Sequence, residues 1–173
     1  AGTAVNEATT GITVNVLTIG GTGLSAFAGI GGGYTDGALN SGATGLSLTG
    51  VEFGLALMSD ATTLTRKWTT LQATAATAGF VGMGTDLVVT AEDVSVSLNQ
   101  ASLVGDEVVD YSAGKTALTV ATGTGSSLAL DLDGGQGEQL QASGVLNVNV
   151  FGFVALTGSM AVSKSSQTVK LAN

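Results

Sequence analysis

Hydrophobic side chains recur at every second position through most of this chain. Val14 and Val16 flank Asn15, and Leu46 and Leu48 flank Ser47. The same rhythm runs through Phe53, Leu55 and Leu57, through Val94, Val96 and Leu98, through Leu128, Leu130 and Leu132, and through Leu146, Val148 and Val150. Successive Cβ atoms of a strand point to opposite sides, so a period of two marks a strand with one face buried. About ten such segments are separated by bends rich in Gly, Ser, Asp and Asn. One segment competes: Leu64, Trp68, Leu71 and Ala75 have helical spacing. The threonines around them and the alternation of Leu71, Ala73 and Ala75 favour a strand. At LNVNVFGFVALTGSMAV, Val148 and Val150 take one face and Phe151 and Phe153 the other. Either Gly152 sits at a bulge, or both faces of that strand are covered.

The pattern predicts a single all-β domain over residues 1–173, mostly antiparallel, as a β-sandwich or rolled sheet. A parallel β-helix is the competing fold. Residues 1–19 read as a linker or a donated strand. There is also an internal echo: GLSLTGVEFGLALM at 45–58 aligns with DLVVTAEDVSVSLN at 86–99 at a shift of 41. Each copy reads as strand, small-residue kink, strand. It fits either a duplicated unit or the chance likeness of alternating strands.

Composition narrows the chemistry. The 173 residues include no Cys, no His and no Pro. This removes thiol nucleophiles, thiolate zinc sites, imidazole bases and disulfides. Thirteen acidic and 5 basic residues give a net charge of −8. Such a surface repels phosphate backbones and anionic lipids, so neither nucleic acid nor a membrane surface is an expected partner. No apolar run approaches the roughly 20 residues that span a bilayer, so membrane insertion is not expected. Only 10% of residues are charged and mean hydropathy is +0.44, which leaves few groups to solvate a free surface. The excess apolar surface is expected to meet other copies or neighbouring repeats.

The most chemical stretch is LALDLDGGQGEQL, residues 128–140. It predicts a hairpin in which Gly134 to Gly137 return the chain and Asp133 faces Glu138. Like charges facing each other in a sheet are unfavourable. A calcium ion would reverse that, so Asp131, Asp133 and Glu138 form a candidate hard-cation site, although the spacing is not that of an EF-hand loop. Asp36 reads as a cap in a Gly-rich bend, with a part in cation binding as the alternative, Asp106, Glu107 and Asp110 as a solvated hairpin tip, and Glu92 and Asp93 as a charged point between strand halves. Lys164 among Ser163, Ser165 and Ser166 would need burial to act in a Ser–Lys dyad. GGTG at 20–23 and ATGTGSS at 121–127 lack the lysine of a phosphate-binding loop. A paired-carboxylate hydrolase would want an aromatic cleft, for which one Trp and two Tyr are a thin supply. No enzyme activity is expected.

Several stretches, LTIGGTGLSAFAGIGGGY, GLSLTGVEFGLALM, LQATAATAGFVGM, EVVDYSAG, LALDLDGGQGE and ASGVLNVNVFGFVALTGSMAVSKSSQTVKL, together resemble a repeat of giant tandem-repeat bacterial extracellular proteins, adhesin-like or fibre-forming. The resemblance covers nearly the whole chain and includes no catalytic signature. Some similar repeats carry a longer Asp-rich stretch after the GG-x-Tyr motif; here Tyr34 is followed only by TDGALNSG. The resemblance implies an extracellular or cell-surface building unit that assembles with copies of itself or adjacent repeats. The segments singled out for assembly are Val14, Val16, Leu17 and Ile19, and Phe151 and Phe153, because residues 8–35 carry no charge and nothing in the chain is proline. An adhesin-type module for a glycan or host surface is the second expectation. It requires an exposed aromatic cluster drawn from Trp68, Tyr34 or Tyr111.

Overall fold

The computed structural model describes residues 11–165, 169, 170 and 172. The two-residue period becomes ten strands: β1 (Val14–Ile30), β2 (Tyr34–Thr35), β3 (Ala38–Leu39), β4 (Thr44–Asp60), β5 (Lys67–Val81), β6 (Leu87–Ala101), β7 (Leu118–Gly123), β8 (Ser126–Leu130), β9 (Gln139–Val150) and β10 (Val154–Lys164). Six of them form one sheet in the order β1-β4-β5-β6-β9-β10. Every pairing is antiparallel, so the parallel β-helix is ruled out. The segment with competing helical spacing is β5, in the middle of the sheet. Residues 14–19 enter the chain's own sheet as an edge strand; residues 1–10 lie outside the described residues.

The sheet is an up-and-down meander with two excursions. The short β2–β3 hairpin intervenes between β1 and β4. Residues 102–138 leave the end of β6, cross one face of the sheet, form the β7–β8 hairpin over β1 and β4, and return to β9. A small core forms beneath that excursion: Ala56, Met58, Trp68, Tyr111, Val120 and Leu130 are buried, with Val14, Val109 and Leu118 packed against them. The close approach is possible because two glycines face the hairpin. Gly20 pairs with Gly54 across β1 and β4. A Cβ on Gly20 would lie 2.4 Å from the Ala121 carbonyl oxygen, and one on Gly54 would lie 3.0 Å from Leu128.

The remaining apolar side chains of the main sheet lie mostly on the other face. Strand β9 runs unbroken from Gln139 to Val150, so Leu140, Ala142, Leu146, Val148 and Val150 share one side. Opposed residues of an antiparallel pair also share a side. Leu98 and Val96 oppose Leu140 and Ala142, while Ala91, Val89 and Leu87 oppose Leu146, Val148 and Val150. Thus β6 changes from odd to even apolar positions without changing face. The extra residue is taken up by a bulge between Glu92 and Ser95, where Asp93 has φ 50°. The same change of parity occurs in β5 near Ala76, in β4 at Gly50 (φ 60°) and in β1 at Gly23 (φ 64°). These positions lie side by side, because the registers of β4 with β5 and of β5 with β6 continue across them. The kink shared by the two echoing segments lies on this transverse line, which the bulges of β1 against β4 and of β6 against β9 flank.

Candidate functional site

The polar groups under the excursion are all engaged in holding it down. The Trp68 indole N–H donates to the Glu107 carbonyl at 2.8 Å, and Asn99 Nδ2 donates to the Val109 carbonyl at 2.8 Å. Thr70 Oγ1 donates to Asn99 Oδ1 at 3.1 Å. A hydroxyl has one proton, so in the 2.9 Å contact between Thr70 and Tyr111 the tyrosine is the donor. Burial pushes the Tyr111 phenol above its ordinary value. Trp68 and Tyr111 are therefore core residues, and of the three candidate aromatic contacts only Tyr34 is exposed. The expected exposed aromatic cluster does not form.

The expected hairpin tip at 106–110 is instead part of the crossing segment. Asp106 pairs with Arg66 at 3.1 Å, and Asp110 accepts from the Ser112 hydroxyl at 2.6 Å and from Gly134 N at 3.2 Å. Tyr111 anchors this stretch in the core, which a solvated hairpin would forbid. Arg66 also lies 3.5 Å from Asp60 and stacks 5.2 Å from the Trp68 ring centre.

Asp60 closes the turn after β4. Its carboxylate accepts from the Thr62 hydroxyl at 2.7 Å, from Thr63 N at 3.0 Å and from Thr62 N at 2.7 Å. These bonds, with the Arg66 charge, lower its pKa from 3.8 to about 2. The pKa of Asp110 is lowered too, chiefly by the Ser112 hydroxyl. A carboxylate whose folded pKa lies below its unfolded value contributes stability above the unfolded value and loses it as pH falls through the folded one. Melting temperature is accordingly expected to drop between about pH 4 and pH 2. Asp60→Asn should be less stable at neutral pH and show a shallower drop, which a pH series of thermal melts followed by circular dichroism measures.

The strands on either side of the Asp131–Glu138 bend are not hydrogen-bonded to each other, which corrects the hairpin expectation. Strand β8 pairs with β7, and β9 pairs with β6 and β10. The bend joins two sheets because its polar groups tie it elsewhere. Asp133 caps the 3₁₀ turn Gly134–Gln136 by accepting from Gly135 N at 2.8 Å. Asp131 accepts from Gln72 Nε2 at 2.6 Å, and Glu138 accepts from Ala101 N at 3.3 Å. The three carboxylates thus serve three different partners. Among the described residues no group of three or more acidic side chains gathers as a metal site would require.

The segments marked for assembly fall in three places. Val14 packs against the core under the excursion, and Val16 shares its face at the sheet edge. Leu17 and Ile19 oppose Leu57 and Leu55 on the open apolar face. Phe151 and Phe153 do not belong to a covered strand. They frame the β9–β10 turn, closed by Phe153 N donating to the Val150 carbonyl at 3.0 Å, with Phe151 at φ 51° and Gly152 at φ 69°. Two successive positive φ values make this a type I′ hairpin turn, whose twist matches the strands. Phe153 is 92% exposed.

Among the described residues, two surfaces have no partner. One is the apolar face, whose middle is made by Leu55, Leu71, Leu98 and Val96 in one half and by Ala78, Val89 and Val148 in the other. Charge and chain ends carry no sign of these central residues; the parity changes along β4, β5 and β6 do. The other is the pair of sheet edges, β1 and β10. Strand β1 holds no charged residue and β10 holds only Lys164. No known protein family, curated protein or solved structure matches this chain. No helix of the described residues is long and apolar enough to cross a membrane.

Proposed function

We propose that the chain is a non-catalytic structural building unit of an extracellular fibre or giant repetitive cell-surface protein, and that neighbouring copies join edge to edge. One observation carries this reading: the two edge strands are antiparallel to each other. Six strands alternate in direction, so β10 of one unit meets β1 of an identical, translated unit in antiparallel register. The enlarged sheet keeps its apolar side chains on one face. Such a head-to-tail contact does not close on itself by necessity and can propagate. Both edges lack proline and carry almost no charge, the usual devices against strand addition. The same geometry serves covalent tandem repeats and separate chains.

Lysines on the polar side of the edges test this. Thr18→Lys in β1 and Thr157→Lys in β10 leave the apolar face untouched. The unmodified chain is expected to form filaments visible by electron microscopy, and each variant alone is expected to lose them. Mixed in equal amounts, the variants should pair through their intact edges and stop there. Filaments that persist in both variants, or an unmodified chain that never extends, would sink the edge contact. Lowering the pH toward the sequence pI of 4.1 should speed filament growth by removing net negative charge, which turbidity records.

A further inference from the structure

We infer that the open apolar face binds the same face of a second copy, closing a two-layer sandwich about a two-fold axis. This rests on the reading that copies of this chain assemble, and it names the occupant of a surface which edge pairing leaves bare.

The face is large enough to seat a second copy. Its six strands are 11 to 17 residues long. At about 3.3 Å per residue and about 4.8 Å between strands, it spans roughly 50 by 25 Å, or about 1,200 Å². A stable interface needs about 800 Å² from each partner, so a footprint of this size is sufficient although Lys67, Thr69, Gln100 and Lys164 occupy one end of it. Leu17, Ile19, Leu24, Phe80, Leu156 and Met160 on this face are exposed in the single chain.

Charge points to an identical partner. The chain carries −8 overall, so two copies repel wherever acidic surfaces approach. The paired positions of this face hold no Asp or Glu; its charged residues, Lys67 and Lys164, sit at one end. On it copies can meet without bringing acidic side chains together. Its leucine and valine side chains suit a second sheet at about 10 Å, where the two sets interdigitate. The excursion does not interfere, because Gly20 and Gly54, which receive it, face the other side.

The test uses the full chain with both edges blocked (Thr18→Lys with Thr157→Lys), so that edge and face contacts fail separately. Analytical ultracentrifugation should find a dimer. Adding Leu71→Asp, at the centre of the face, should give a monomer. Trp68 lies buried on the opposite side, so its emission reports whether the fold survives; it should not change. Leu71→Gln is the milder variant if the aspartate prevents folding. A monomeric edge-blocked chain overturns the inference, and it leaves the edge contact standing if the unblocked chain still forms filaments. A dimer that survives substitution at Leu71 with Trp68 emission intact also overturns it. Flotation of an edge-blocked monomer with phosphatidylcholine vesicles would assign the face to lipid instead. Face dimers from an unblocked chain that never forms filaments would uphold the inference and remove the edge contact.

Discussion

Trp68→Ala is expected to lower the unfolding free energy by about 3–5 kcal/mol, the usual cost of removing a buried Trp ring. The ring is 5% exposed and sits where three parts of the molecule meet: β4 through Met58, the crossing segment through Glu107 and Tyr111, and the Arg66 side chain. Its loss opens a cavity in a core of only six buried residues, with few neighbours able to collapse into it. It also leaves the Glu107 carbonyl without its donor. Trp68→Phe keeps most of the ring and loses the bond, so its cost should be nearer 1–3 kcal/mol. Urea titration followed by far-ultraviolet circular dichroism measures both. A loss below about 1 kcal/mol for the alanine variant would mean that the excursion is not held by this core. Hydrogen exchange should locate the first loosening in residues 102–117, because their anchors Trp68, Asn99 and Tyr111 act together.

Gly20→Val is expected to destabilise by about 1–3 kcal/mol or more, although valine is the better strand former. Secondary-structure preference favours the change by a few tenths of a kcal/mol to about 1 kcal/mol. The tertiary contact opposes it: the new Cβ alone would stand 2.4 Å from Ala121 oxygen and 2.8 Å from Val120 Cγ1. The first of these is backbone and cannot swing aside, so the β7–β8 hairpin must lift. Val120, fully buried, would then lose packing. Gly158→Val in β10 is the matching control, since a Cβ there meets nothing within 4 Å. Its urea midpoint should stay or rise. Equal losses at both positions would show that glycine matters for its backbone alone and not for the approach of the hairpin.

These expectations depend on contacts that the local pattern does not contain. Strand character was legible: Leu46 with Leu48 and Phe53 with Leu57 mark two stretches of β4, Val94 with Leu98 marks β6 and Leu146 with Val150 marks β9, because alternation of Cβ direction is a property of neighbouring residues. The bend at Asp36 was legible in the same local way, as Gly and Asp accept the positive φ of tight turns. The change of parity from Leu48 to Phe53, or from Val89 to Val94, was written in the sequence, but its meaning was not. Only the unbroken β9, paired across both halves of β6, shows that the bulges keep one continuous apolar face. Likewise Asp131, Asp133 and Glu138 are close in sequence, yet Gln72, Gly135 and Ala101 decide where they point. Trp68 and Tyr111 are candidate surface aromatics by sequence, but the segment that carries Tyr111 folds back over the face that carries Trp68 and buries both. Alternation, charge and turns act over a few residues and survive in the sequence alone. Which strands become neighbours, which face a returning loop covers and which glycines must stay bare depend on contacts between distant residues, and only the folded chain brings those together.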